Sequence, residues 1–175
     1  MRLIKKNTII VVDDFFSDIS AVNHELADVE QWSLLDHPDR KEMGSWPGYR
    51  SKNLVPLNHS IVQQFRECAE DYLGGSTDMT LYKHTRLASD ERFDYIHSDG
   101  KDLIAGLVYL STTNLNSSTR FYDGELAGSN MLADVKFVQN RAVFFTGEMP
   151  HSAFGNHGED LQSGRTTLNL FARYI

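Results

Sequence analysis

The sequence predicts a mainly β protein with N-terminal helices, an α+β chain whose strands build a sandwich or barrel. Three observations carry that prediction. Apolar residues at helical spacing are confined to the first 75 residues, seven short β-like runs follow, and Gly, Asn, Ser and Asp break those runs at short intervals. At 175 residues the chain is expected to be one domain, 1–175, with a helical front over 1–75 and a β core over 76–175. A domain of that size buries about 70% of the surface its unfolded chain exposes, enough for a single sizeable core.

Residues 8–12 (TIIVV) form a β-branched run ending at Asp13-Asp14, which predicts a short buried strand. Ser17 then stands where a helix cap is expected, followed by Ile19, Val22, Leu26 and Val29 on one helical face. Over 35–53 no period survives: His37-Pro38, Gly44 and Trp46-Pro47-Gly48 predict a long loop, and loops of that length are commonly functional. A second helix starts at Asn58 or Ser60, places Ile61, Val62, Phe65, Cys68 and Tyr72 on one side, and stops at Gly74-Gly75. Cys68 on that apolar side is read as a core filler. The β-like runs are 79–87, 93–98, 103–110, 119–122, 134–138, 142–146 and 166–174. Residues 103–110 are apolar on both parities, so that strand is expected to lie centrally.

Charge and composition narrow the function. Seventeen Lys plus Arg stand against 24 Asp plus Glu, a net charge of −7 without a basic stretch. Phosphate backbones are bound mainly through Lys and Arg, so no nucleic-acid partner is expected. No run approaches the ~20 apolar residues that span a bilayer, and the opening residues lack the apolar stretch of a signal peptide. A single cysteine excludes an internal disulfide, which agrees with a reducing compartment. The expected location is the cytoplasm, with no membrane partner and the oligomeric state open.

Of seven histidines, His24, His37, His59 and His84 read as surface or satisfied structural residues. His97 differs, because in an extended segment His97 and Asp99 project to the same side. An imidazole and a carboxylate placed together can take adjacent positions on a divalent metal. One more histidine completes the two-histidine, one-carboxylate set that holds non-haem Fe(II) with open sites. His151 follows the run 142–146 and supplies it; His157, in a Gly-rich turn, is the rival. Arg165 opens the last run and shares a strand face with Thr167, while Leu168, Leu170 and Ala172 share the other. A guanidinium facing a core requires an anion, because an unpaired buried charge is very costly. That anion is either a bound carboxylate or one of the chain's own acids, Glu159 or Asp160.

Taken together, His97-x-Asp99, His151 and Arg165-x-Thr167 resemble the Fe(II)- and 2-oxoglutarate-dependent oxygenases, nearest the prolyl-4-hydroxylase-like branch. The likeness covers most of the chain. TIIVVDDFF (8–16) is similar to that branch's opening, and LVYLS (107–111) to its central strand. STRF (118–121) resembles the family's Gly-Gly-x-Thr-x-Phe stretch, with Asn116-Ser117-Ser118 in place of the paired glycines.

The resemblance implies a double-stranded β-helix, a jelly-roll or cupin-like barrel with two supporting helices on one sheet. It makes His97, Asp99 and His151 the catalytic iron ligands and Arg165 the partner of the distal carboxylate of 2-oxoglutarate. Tyr109 and Thr167 are similar to residues that assist at that carboxylate, and Tyr82 to a second co-substrate-facing tyrosine. O2 is the other co-substrate. The implied reaction is hydroxylation of a C–H bond, of a peptidyl or free amino-acid side chain, with release of succinate and CO2. Substrate contacts are expected from 35–53, where Trp46, Tyr49 and Arg50 are candidates, and from 111–118. Two alternatives remain at this point: a nucleic-acid demethylase of the same superfamily and a non-catalytic cupin-like binding protein. Against the first, that branch resembles Arg-x5-Arg, and Phe171 stands in the second position here. Against the second stands Arg165.

Overall fold

The computed structural model describes residues 7–40, 46–73, 78–90 and 95–173. Two α-helices and ten strands follow one another as β1 (Ile10–Val12), α1 (Ile19–Glu25), β2 (Trp32–Ser33), β3 (Tyr49–Arg50), α2 (Ser60–Leu73), β4 (Met79–Arg86), β5 (Leu103–Tyr109), β6 (Asn114–Tyr122), β7 (Met131–Phe137), β8 (Ala142–Thr146), β9 (His151–Phe154) and β10 (Arg165–Arg173). All the pairings are antiparallel. Seven strands form a sheet ordered β1-β8-β5-β10-β4-β3-β2, and three form a smaller one ordered β7-β6-β9. The described strands thus make two separate antiparallel sheets, the sandwich side of the sandwich-or-barrel expectation, and do not close into a barrel.

The large sheet is covered on both faces, and strand alternation sorts its residues. Leu81 of β4, Ile104 and Val108 of β5, Phe144 of β8 and Leu168, Leu170 and Ala172 of β10 pack with Val22 of α1, with Leu26 at its C-cap and with Ile61, Phe65 and Ala69 of α2. This is the helix-covered core. On the other face Ala105, Tyr109, Val143 and Phe145 meet Phe121 and Phe137 of the small sheet, with Met149, in a second core. Each fully buried large apolar side chain contributes about 1.5–3 kcal/mol. Leu103–Tyr109 lies third in the seven-strand order, flanked by β8 and β10, so its two-sided apolar pattern does mark a central strand.

Several boundaries differ from expectation. The cap of α1 is Asp18 and not Ser17: its carboxylate accepts from the Ala21 amide at 2.9 Å, leaving Ser17 before the cap. Val29 lies beyond α1 and packs on the core from the following turn. α2 starts at Ser60, one of its two expected starts, with Asn58 in the left-handed region at φ 49°. The region 35–53 is not all loop, because Tyr49–Arg50 adds to the edge of β4. Residues 95–98 make no strand, only a bridge between His97 and His151. Phe93, Asp94, Gly44, the expected helix stop at Gly74-Gly75 and Tyr174 lie outside the described residues. No described helix is long and apolar enough to cross a membrane.

Candidate metal centre and its cavity

His151 opens β9 on the small sheet, and the segment carrying His97 and Asp99 runs beside it. The two histidines exchange main-chain hydrogen bonds, His97 N to His151 O at 3.0 Å and His151 N to His97 O at 2.9 Å. The Asp99 and Gly100 amides both donate to Gly147 O, at 2.7 and 3.2 Å. Gly147 permits this approach: a Cβ there would stand 2.7 Å from Gly100 O and 2.9 Å from Leu103 Cβ. Main-chain bonds alone therefore bring residues 97, 99 and 151 together.

The side chains converge as a ligand set. One ligand atom from each of His97, Asp99 and His151 lies within 4.8 Å of the others. His97 Nε2 is 3.9 Å from Asp99 Oδ1, and His151 Nε2 is 3.5 Å from Asp99 Oδ2. Each imidazole has its Nδ1 beside a carbonyl, Met149 O for His151 at 2.9 Å and Tyr95 O for His97 at 3.3 Å. A carbonyl only accepts, so both rings carry their proton on Nδ1 and offer the Nε2 lone pair to the space between them. Burial pushes His151 down to about 4 and also lowers His97, keeping both imidazoles neutral, as metal ligation requires. Burial raises Asp99 to about 6, opposed by the fields of His97 and Arg50. Two neutral imidazoles and one carboxylate with an open side fit Fe(II).

The triad lines a cavity of about 440 Å³ between the sheets, whose opposite wall is built from β3, β4 and β10. Arg165, Thr167, Asn169 and Phe171 alternate along β10 into it, as do His84 and Arg86 along β4 and Arg50 on β3. Arg165 is 3% exposed. Its Nε donates to Ser117 Oγ at 3.0 Å, and its Nη2 to Ser118 O at 3.2 Å and Thr119 Oγ1 at 3.4 Å. These acceptors are all neutral, and among the described residues no carboxylate pairs with it. Neither Glu159 nor Asp160 supplies a counter-charge. Burial lowers the Arg165 guanidinium to about 10, with Arg86 across the strand pair adding to the effect, yet it stays charged at neutral pH. The cavity wall therefore holds a fixed positive charge with no anion beside it among the described residues.

No family model and no curated protein sequence matches the chain. Solved structures do. HygX from Streptomyces hygroscopicus, with nickel and 2-oxoglutarate bound, superposes at a TM-score of 0.63 with 12% identity, over 95% of this chain and 83% of that one. The epimerase SnoN, in complex with Fe3+, α-ketoglutarate and nogalamycin RO, gives a TM-score of 0.57 and 13% identity over 94% and 78%. The chain shares its fold with these two structures. A prolyl-4-hydroxylase of Pseudomonas putida, at a TM-score of 0.48 and 17% identity over 90% and 100%, gives no ground for placing the chain nearer that branch.

Within this fold the structure sorts the sequence candidates. His97, Asp99, His151, Arg165, Thr167, Trp46 and Arg50 all line the one cavity. Tyr109 does not: its ring stacks on Phe137, and its hydroxyl lies 2.9 Å from Thr119 Oγ1 and 3.1 Å from Val135 O, inside the wall. Tyr82 stands behind Arg50, with the Arg50 Cζ 5.2 Å from its ring centre. Tyr49 pairs with Thr85 at the sheet edge and does not reach the cavity. His157 packs edge-on to Phe137 and is not part of the ligand group.

Sequence reasoning assigned His84 a structural role and overlooked Asn169. Thr167 Oγ1 donates to Asn169 Oδ1 at 2.7 Å, Asn169 Nδ2 approaches His84 Nδ1 at 3.4 Å, and His84 Nε2 donates to Pro47 O at 2.7 Å. Burial, with Arg50, Arg86 and Arg165 nearby, lowers His84 to about 3, so it ties the Trp46-Pro47 turn to the sheet as a neutral ring. The two-residue period that exposed Arg165 and Thr167 continues to Asn169 and, on β4, runs through His84 to Arg86. That signal was present in the sequence.

Proposed function

We propose that the protein is an Fe(II)- and 2-oxoglutarate-dependent dioxygenase that hydroxylates a C–H bond of a peptidyl or free amino-acid side chain and releases succinate and CO2. One observation carries the reading: a His-Asp-His group with both Nε2 atoms turned inward shares a cavity with a buried arginine that has no acid partner among the described residues. His97, Asp99 and His151 would hold the iron, which, bound together with 2-oxoglutarate and O2, supplies the oxidising chemistry for an unactivated C–H bond. Arg165 binds the distal carboxylate of 2-oxoglutarate, with the Thr119 hydroxyl offering its proton beside it and Thr167, whose proton goes to Asn169, lining the same wall. Met149 O and Tyr95 O hold the two imidazoles in the ligating tautomer. Phe145, Phe171 and Leu107 line the remaining wall and keep water from the reacting centre. Arg165 favours this reading over an inert cupin-like barrel, since such a barrel has no need of a buried cation at that place.

We also read the two facing sheets as an open jelly roll forming one domain, the location as the cytoplasm, and the partner as a small molecule or peptide and not a nucleic acid. The likeness to an epimerase admits hydrogen abstraction without oxygen insertion as a second outcome, and the product decides between them, because hydroxylation adds one oxygen atom. The test is anaerobic titration of the Fe(II)-loaded protein with 2-oxoglutarate, followed by succinate measurement in air. Binding that Arg165→Ala weakens, and succinate formation that His97→Ala or Asp99→Ala abolishes, are expected. Turnover that survives both ligand substitutions overturns the assignment.

A further inference from the structure

Arg50 is the cavity's second unexplained cation. It stands on β3 directly opposite His84, just after the turn that begins at Trp46, and lines the same cavity as the triad. Gly48, at φ +77°, makes that turn possible: a Cβ there would lie 2.4 Å from Thr85 O. The Arg50 Cζ lies 4.5 Å from the Trp46 ring centre and 5.2 Å from that of Tyr82. Stacking occupies the flat faces of a guanidinium and leaves its N–H edges for an acceptor. Among the described residues Arg50 makes no ion pair or hydrogen bond, and its buried Nε has no partner. Trp46 Nε1, 4% exposed as a residue and lining the same cavity, is likewise a buried donor without an acceptor. The acid whose field reaches Arg50 from within the cavity is Asp99, which the metal claims under the proposed function.

We infer that Arg50, with Trp46 beside it, is the anchor for a free carboxylate on the substrate. The substrate class is then a small organic acid, free amino acids included, and not a residue inside a peptide chain. The inference rests on the proposed function and narrows it. A planar fork of N–H donors matches a carboxylate bidentately. A cavity of about 440 Å³ is at the small end for ligand sites and, once 2-oxoglutarate occupies the Arg165 side, leaves room for a compact molecule. A mid-chain residue other than Asp or Glu brings no carboxylate to pair with Arg50, so its entry would bury an unmatched cation.

Trp46 is its own reporter, since the chain has two tryptophans and Trp32→Phe leaves it alone. The Trp32→Phe protein, loaded with Ni(II) and 2-oxoglutarate, is titrated with free amino acids and small monocarboxylic acids, with their primary amides, and with inorganic phosphate, while Trp46 emission is followed. Calorimetry on the unaltered protein reads the same binding should Trp32→Phe not fold. Acids are expected to bind about 10- to 100-fold more tightly than their amides, the range of a charged hydrogen-bonded pair. Arg50→Gln should bring the acids to the level of the amides and leave 2-oxoglutarate affinity within twofold. Amides matching acids, no acid binding, phosphate binding in their place, or an equal loss of 2-oxoglutarate affinity in Arg50→Gln each overturns the inference. Absence of 2-oxoglutarate binding to the loaded protein overturns the proposed function instead, and the acid-versus-amide difference on the unloaded protein then still reads Arg50.

Discussion

The two faces of the seven-stranded sheet are written in the same strands and do opposite things. On β10, Leu168, Leu170 and Ala172 are fully buried against the helices, while Arg165, Thr167, Asn169 and Phe171 face the cavity. On β4, Leu81 faces the helices and His84 and Arg86 face the cavity. Along these two strands the helix-covered side carries hydrophobic stabilisation and the cavity side carries polar groups whose needs are only partly met by protein, whereas β5 and β8 put a second apolar core on that inner face. Stability and chemistry are thus separated by one residue of register.

That separation can be broken most severely from the inner side. His97→Ala and Asp99→Ala should abolish 2-oxoglutarate turnover and leave the melting temperature of the metal-free protein close to that of the parent, because main-chain bonds hold the segment; a calorimetric scan beside a succinate assay checks both halves. The reciprocal change is Leu170→Ala on the outer face. It should cost about 2–5 kcal/mol in urea unfolding, the range for a large apolar residue truncated in a core, with metal affinity unchanged within twofold.

Arg165→Ala should weaken 2-oxoglutarate binding by about 10- to 100-fold, the 1.5–3 kcal/mol of a charged hydrogen bond, yet destabilise the free protein less than Leu170→Ala, since the charge removed has no acid partner among the described residues. Anaerobic titration and urea unfolding of the same sample compare the two effects. The smallest effect is on pH dependence. His84 is lowered to about 3 in the fold, so the unfolded chain takes up its proton first as pH falls, and stability present above about 6.5 is lost on acidification toward 3. His84→Gln should therefore lose less stability between pH 7 and 5 than the parent, as read from urea midpoints; parallel curves would show that His84 does not carry the slope.

The sequence disclosed the inner face wherever chemistry depends on residue type at short spacing. His97-x-Asp99 and Arg165-x-Thr167 could be read because i and i+2 share a strand face, and His151 because a strand precedes it. Tyr109 shows the limit of that logic. Its parity is right, since it lies opposite Thr167, but its hydroxyl is taken by Thr119 and Val135, and such commitments come from strands distant in sequence. β2 and β3 escaped notice because two-residue strands carry no period, and their pairing depends on the turn at Gly48. Ser17 and Asp18 are both cap residues by type, and which one caps is settled by where the chain enters the helix. Strand number left sandwich and barrel open, since short strands at even spacing are common to both, and the two paired sheets answer to the first.

The double acceptance at Gly147 O, from the amides of Asp99 and Gly100, has a consequence for how the ligand set is assembled. With the His97–His151 exchange it forms a four-bond main-chain clasp between the 97–100 segment and the chain on either side of Met149. Ordering entropy is spent during folding, before any ion arrives, so ion affinity reports coordination alone. A chelator should accordingly strip the site in a reversible exchange without melting the domain. Gly147→Ala, which wedges a methyl group into the clasp, should loosen the grip on the ion with every ligating side chain left in place.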